Sequence, residues 1–332
     1  MRIVLRGLNP ASLTMACAVV APGAITQATA KSGPVGVASA TYQTGMGDES
    51  AEMFNDPLWR QLHIRYVRYI APYDAAVKPY SLNKAKAWID AAERQHAQVV
   101  VAFYHSEYTP TRLPSVATYQ KDVAKFVKLF PKVRYYQSYD EANRGNVRGA
   151  FSSPTAAGAA AYYQALIRVC RGCTVIGLDV LDQHKISPTL RYISEFKRAV
   201  GRLRTAMPRI WGLHNYSDVN RLESIRTRTL ARALGSQVWL TETGGIVQFG
   251  GSFPNKRGSG LTRAAKVIQY MFRMASGIPQ VKRLYIYNWN GGTARTRFDA
   301  GLIDAKHKPR PGYVVVCRTL RASKCNVKVS NQ

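Results

Sequence analysis

The stretch VRYYQSYDEAN, residues 133–143, decides the fold. Its first seven residues are β-branched, aromatic or polar in the mixture expected of a buried strand, and they run straight into two carboxylates, Asp140 and Glu141. A second stretch, QVWLTETGG at 237–245, repeats the plan with an apolar run, then Glu242, then a glycine pair. Working outward from these two, six more runs of the same make-up fall at 35–42, 64–72, 98–106, 174–182, 210–216 and 283–290. Amphipathic stretches separate them, with helix starts at Ser81, Pro114-Ser115, Ser187-Pro188 and Thr262. Eight strand–helix pairs predict an α/β chain folded as a single-domain (β/α)8 TIM barrel. A doubly wound sheet would carry a Gly-rich phosphate loop after its first strand, and no G-x-G-x-x-G follows the first run.

The chain of 332 residues is long enough for one such barrel and its core. Residues 1–30 predict a signal peptide: Arg2 and Arg6 precede an apolar run, and Ala28-Thr29-Ala30 offers a small-residue cleavage site. The run is broken by Pro22 and Gly23 and is too short for a transmembrane anchor. The expected division is therefore a leader at 1–30, a barrel domain at 31–322 and a polar C-terminal tail at 323–332. Beyond the leader's Cys17 remain Cys170, Cys173, Cys317 and Cys325, an even number that suits an oxidising compartment. Local pairs, Cys170 with Cys173 and Cys317 with Cys325, are the preferred connectivity of three. His184 and His214 do not stand at a zinc-ligand spacing from Cys170 and Cys173, and no metal or organic cofactor is expected.

The formal net charge is +28, which attracts polyanions in a salt-sensitive way. Lys and Arg are spread along the chain without a stripe or a nucleic-acid-binding motif, so a specific nucleic-acid partner is not expected. For a secreted or envelope-associated protein, anionic cell-envelope polymers are the nearer match. The same charge also serves solubility without any partner.

In a (β/α)8 barrel the chemistry gathers at the C-terminal ends of the strands. Those ends carry His105, Asp140 with Glu141, Asp179 and Asp182, His214 with Tyr216, Glu242, and Trp289. Only 19 acids occur in the chain, and Glu141 and Glu242 fall on strands four and seven. Two carboxyl groups facing one cleft can cleave a glycosidic bond, one exchanging a proton and the other attacking the sugar. Each of these residues also has a structural reading, such as a salt bridge for either Glu, a buried counter-ion for Arg68 or a helix cap for Asp182. Tyr135, Tyr136, Trp211, Trp239 and Tyr285 read as core.

Across about 35–320 these strand ends resemble clan A of the glycoside hydrolases, the (β/α)8 retaining enzymes, and within it exported actinobacterial members. The resemblance implies Glu141, in QSYDEAN, as acid/base and Glu242, in WLTETGG, as nucleophile. It implies substrate contacts from Arg68 on strand two, His105 on strand three, His214 and Tyr216 on strand six and Trp289 on strand eight. It implies hydrolysis of a β-type bond in an oligo- or polysaccharide. Clan members usually have Asn before the acid/base, donating to the sugar's 2-hydroxyl, whereas this chain has Asp140. An ionised carboxylate only accepts hydrogen bonds, and it would raise the pKa of Glu141 beside it. Asp140 therefore raises one alternative, a weakened or inactive carbohydrate-binding barrel, and the charge of +28 raises another, a basic cell-envelope-binding protein. For the active reading, Arg68 and Tyr216 are expected beside Glu242, and burial and its neighbour's charge are expected to keep Glu141 protonated.

Overall fold

Residues 42–145, 152–293 and 295–330 are described by a computed structural model of the chain. The leader at 1–30 and all but Tyr42 of the run at 35–42 lie outside them. The strands are β1 (Gln43–Gly47), β2 (Tyr66–Pro72), β3 (Gln98–Tyr104), β4 (Tyr135–Gln137), β5 (Thr174–Ile176), β6 (Asp179–Leu181), β7 (Trp211–His214), β8 (Val238–Thr243), β9 (Gln248–Phe249), β10 (Val281–Tyr287) and β11 (Phe298–Asp299). Around them stand α1 (Pro57–Arg60), α2 (Pro79–Arg94), α3 (Val116–Leu129), α4 (Ala156–Val169), α5 (Ile186–Arg202), α6 (Tyr216–Val219), α7 (Ile225–Leu234), α8 (Ser259–Ser276) and α9 (Pro311–Thr319).

All neighbours in the main sheet pair in parallel, in the order β5-β4-β3-β2-β1-β10-β8-β7-β6. β5 and β6 are two halves of one strand broken at Gly177 and Leu178, and hydrogen bonds across the break close the ring. The Gly177 N–H donates to the Ile210 carbonyl at 3.0 Å, the Gly212 N–H to Leu178 at 2.8 Å and the Ala142 N–H to Asp179 at 3.0 Å. The protein is thus a (β/α)8 barrel of eight staves, the fifth interrupted.

The first stave corrects the sequence reading. It is QTGMG at 43–47, just beyond the run read at 35–42. Its glycines hide it from strand propensity for a steric reason: a Cβ on Gly45 would stand 2.6 Å from the Tyr285 ring, which fills the barrel at that level. The shift brings Asp48 and Glu49 to the mouth of the barrel.

Alternating residues of the staves face inward and stack in layers. At the N-terminal end the Arg283 guanidinium lies 4.0 Å from both the Tyr66 and the Trp239 ring centroids, and it donates to Gln43 and Gln98. Above it Val100, Ile176, Trp239 and Tyr285 form an apolar plug. The next layer is polar, built from Arg68, Gln137, Asp179 and Thr241, and its Arg68 bonds Asp140 and Glu242, which line the cleft. The main core fills the space between the outward faces of the staves and the helices, which contribute Trp88, Tyr119, Phe126, Phe196 and Tyr313.

Ser115 caps α3, its Oγ accepting from the Thr118 N–H at 3.1 Å, as the sequence suggests. Other starts differ. α2 begins at Pro79, and Ser81 is buried inside it, donating to Glu107 at 2.7 Å. α5 begins at Ile186 and α8 at Ser259. Disulfides join Cys170 to Cys173 after α4 and Cys317 to Cys325. The second pins residues beyond α9 to the barrel, and Ser330 then bonds Asp304 and the Pro309 carbonyl, so the polar tail is held against the domain as far as Ser330. Among the described residues no helix is long and apolar enough to cross a membrane.

Candidate active site

Arg68 organises the mouth of the barrel. It points inward from β2, is 1 % exposed, and spends its donors on three other staves. Its Nε bonds Gln137 Oε1 at 2.6 Å, Nη1 bonds Glu242 Oε1 at 2.8 Å, and Nη2 bonds both Asp140 and, at 3.1 Å, Asp179 Oδ2. Thr241 donates to the other Asp179 oxygen at 2.6 Å. A register shift in β8 against both its neighbours, a β-bulge, lets consecutive Thr241 and Glu242 reach this one layer.

His214, at the end of β7, is fully buried between the carboxylates. Its Nε2 lies 3.1 Å from Asp179, and its Nδ1 lies 3.2 Å from Glu141 Oε1 and 3.6 Å from Glu242 Oε2. Those last two oxygens are therefore at most the sum of these distances, about 6.8 Å, apart. Glu141 follows β4 with a left-handed backbone, φ 43°, a conformation uncommon for a residue with a side chain. Its other oxygen takes a 2.7 Å bond from Arg144. Tyr216 donates to Glu242 Oε2 at 3.3 Å.

This crowding sorts the protons differently from the expectation. Burial pushes Asp140 up to about 8, with Arg68 and His214 opposing and Glu242 and Asp179 assisting. For Glu141 burial acts upward too, but the hydrogen bond and charge of His214 and the charge of Arg144 outweigh it and hold the carboxyl below its usual range. Asp140 is thus the protonated member of the pair and Glu141 the ionised one, the reverse of the sequence-based expectation. For His214 burial disfavours the cation, yet Asp179 and Glu242 raise its pKa well above normal. For Asp179 burial is likewise outweighed, by His214 and Arg68, and its pKa falls to about 2.

Two expected substrate contacts stand elsewhere. Trp289 is fully buried beyond the end of β10, edge-on to Trp59 and Tyr313 at 5.9 Å, and belongs to the core. Tyr287, two residues earlier, faces the cleft instead. His105 does not line the cleft: its ring packs on Tyr104 at 4.1 Å and its Nδ1 lies 3.1 Å from the Ser106 carbonyl, while Tyr104, ending β3, takes the inward position. At β3 the inward phase falls on Tyr104 and not on its neighbour His105, and at β10 the strand ends at Tyr287, so Trp289 no longer follows its alternation. Asp182 is a cap, but of α6, accepting from the Ser217 and Asp218 N–H groups at 2.8 Å, and not of the helix that follows it. Sequence reading missed Gln137, Tyr104, Arg144 and the β1 pair. Asp48 accepts from the Trp289 and Asn290 N–H groups, and Glu49 accepts from the Tyr287 hydroxyl at 2.7 Å. Burial, with the Asp48 charge, pushes Glu49 up to about 8.

Ligand atoms of Asp140, His214 and Glu242 come within 4.8 Å of one another, as a metal site requires. Arg68 already supplies the cation between two of them, and His214 would first have to lose a strongly held proton. The set fits a salt-bridge network better than a metal centre.

Two outcomes follow from this network. A Cβ at Gly212, on β7, would stand 2.2 Å from Asp179 Oδ1, so Gly212→Ala is expected to cost about 1–3 kcal/mol of stability, read by denaturant unfolding. A variant as stable as the parent would contradict the packing. The second outcome concerns pH. Asp140, Glu49 and Asp182 all have folded pKa values raised to about 8, so the folded chain holds protons that the unfolded chain releases above its normal carboxyl pKa. Stability from these groups is lost as pH rises towards 8, and His214 adds to the loss above its normal pKa. Asp179 and Glu141 act oppositely, losing stability only as pH falls through their depressed values. Melting temperature is therefore expected to fall from pH 6 to pH 9 at constant ionic strength, and a flat or rising curve would refute this proton distribution.

No protein-family model matches the chain, and no curated protein matches it either. Among solved structures it is similar to xylanase 10B from Thermotoga maritima, with 13% identity over 85% of this chain and 95% of that one at a TM-score of 0.61. It is also similar to an endo-1,4-beta-xylanase from Penicillium canescens, with 13% identity over 86% and 96% at 0.59. A family 39 glycoside hydrolase from Bacteroides cellulosilyticus gives 14% identity over 86% and 65% at 0.54. At these identities the likeness is one of fold, the (β/α)8 barrel.

Proposed function

We propose that the chain is a retaining glycoside hydrolase that cleaves a β-linked saccharide, with Glu242 as nucleophile. The observation that carries this reading is the bound of about 6.8 Å between Glu141 and Glu242 oxygens across an open cleft. Retaining enzymes hold their two carboxyl groups about 5–5.5 Å apart and inverting enzymes about 6.5–9.5 Å, so the bound takes in the whole retaining range and only the lower edge of the inverting one. Glu242 attacks the anomeric carbon as the bond to the leaving oxygen breaks, and that oxygen takes a proton from the acid. Water, deprotonated by the same group, then releases the sugar from Glu242. Arg68 and Tyr216 orient the nucleophile. The barrel fold shared with xylanases and a family 39 enzyme supports this class of substrate.

Glu141 is the acid/base by position. The proton carried by Asp140 gives that residue a donor hydroxyl, so it can do for a sugar hydroxyl what an amide would. Two experiments separate the roles. Glu141→Ala should lose about 10²–10⁴ in turnover of poor leaving groups, while turnover of a good leaving group, limited by release of the sugar from Glu242, should recover with azide and give a product of retained configuration. With Glu141 as the acid, cleavage of poor leaving groups should fade as pH rises through its depressed pKa, whereas a basic limb near 8, with Asp140→Asn the azide-rescued variant, would transfer the role to Asp140.

Glu141 is bonded through both oxygens, which favours a second reading, a carbohydrate-binding barrel with weakened catalysis. Saccharide binding without turnover at any pH would select it. The charge of +28, the leader-like first thirty residues and the two disulfides support export and retention on anionic envelope polymers. Such retention should weaken with added salt.

A further inference from the structure

The charges of the cleft are unevenly matched. Around the proposed nucleophile every carboxylate has a cation: Arg68 pairs with Asp140, Asp179 and Glu242, Arg144 pairs with Glu141, and His214 stands within 3.9 Å of all four. The same cavity, about 550 Å3, is also lined by Gln183, His184, Ser217, Arg221, Ser252 and Phe253. The one further acid of the lining, Asp182, accepts from the Ser217 and Asp218 N–H groups, and burial pushes it up to about 8, so it carries a proton at neutral pH. Arg221 is held in place. Its Nη1 donates to the Ser217 carbonyl at 2.8 Å and to Ser217 Oγ at 3.2 Å, and its guanidinium lies 5.6 Å from the Phe253 ring centroid. Arg263 stands at the same distance from that ring, bonded to the Pro254 and Val247 carbonyls. Among the described residues neither arginine has a carboxylate partner, and Nε and Nη2 of Arg221 make no hydrogen bond. That edge of a guanidinium is the one that can hold two oxygens of an anion side by side. Arg221 is tied to the residue next to Tyr216, whose hydroxyl bonds Glu242, so a ligand on Arg221 shares one cavity with the nucleophile.

We propose that Arg221 makes this cleft selective for saccharides that carry an anionic group, a uronate carboxylate or a phosphate ester. The proposal rests on the hydrolase reading above and narrows its substrate class. An anion gains two charge-assisted bonds from a donor edge already fixed in position, whereas a neutral hydroxymethyl group gains less from the same edge. Ser217, Ser252 and Gln183 remain for the hydroxyls of the sugar. The net charge of +28 adds a long-range attraction for a saccharide of opposite sign.

The test measures binding of methyl β-glucoside, its 6-phosphate and methyl β-glucuronide, and of the three galactose counterparts, by saturation-transfer NMR. Arg221→Gln and Arg221→Lys are compared with the parent; Arg221 is exposed, and melting curves report whether each variant is folded. The parent is expected to bind an anionic sugar about 5-fold more tightly than its neutral counterpart. That preference should be lost in Arg221→Gln, largely kept in Arg221→Lys and reduced by added salt. A preference for the uronides assigns the group as a carboxylate, and a preference for the phosphates assigns it as a phosphate ester. No preference in either sugar series, or the same preference in the parent and Arg221→Gln, overturns the proposal. The 4-nitrophenyl β-glycosides of the same sugars then separate the two readings. Arg221-dependent binding with no glycoside cleaved leaves the anion site standing and removes the hydrolase reading. Cleavage with the same ratio of kcat/KM for acidic over neutral sugars in the parent and Arg221→Gln keeps the hydrolase and removes the anion site.

Discussion

Glu242→Gln is expected to lower turnover of any β-glycoside the parent cleaves by on the order of 10⁴-fold or more, because the bond-forming atom is gone and no neighbour can replace it. Asp140 and Asp179 lie close by, but both are committed to Arg68, and His214 is locked between carboxylates. The substitution keeps the shape of the side chain, so saccharide binding should survive where turnover does not. With the parent, a 2-fluoro glycoside bearing a good leaving group should accumulate as an ester, since the fluorine slows its hydrolysis. Peptide mass spectrometry should find that ester on Glu242. A label on Asp140 or Glu141 would assign the nucleophile elsewhere, and inverted product from the parent would end the retaining mechanism.

Arg68→Met is expected to destabilise the fold by about 3–5 kcal/mol at neutral pH, the cost of leaving buried carboxylates without their cation. Asp179 and Glu242 would lose the cation they share and Asp140 would lose a hydrogen-bond donor, all of them largely buried. In a domain of this size such a loss lowers the melting temperature by roughly 10 °C. The deficit should shrink as pH falls and the carboxyl groups neutralise, and that pH dependence distinguishes lost charge pairing from lost packing volume. A variant as stable as the parent at pH 7, with the same pH profile, would show that Arg68 does not carry the network.

The eight-fold period was legible because barrel strands are buried on both faces, so seven of the eight staves read as apolar and aromatic runs between amphipathic stretches. The first stave was not. Gln43–Gly47 contains two glycines, and at Gly45 the ring of Tyr285, more than two hundred residues away, occupies the space a side chain would need. That misreading concealed Asp48 and Glu49. Errors of one or two residues elsewhere had the same origin: in a strand the side chains alternate, and a bulge or a strand end decides whether Tyr104 or His105, or Tyr287 or Trp289, faces the cleft.

The sequence by itself determined the barrel, the strand ends that hold Glu141 and Glu242, and the local cysteine pairs, because each follows from short-range pattern and a small set of allowed connections. Which residues hold protons, which aromatic rings reach the cleft and how one arginine joins four staves were decided only by the tertiary structure. Asp140 and Glu141 are adjacent in the chain, yet burial lifts one while His214 and Arg144 depress the other, because a buried group's pKa depends on charges a few ångströms away in space whatever their distance along the chain.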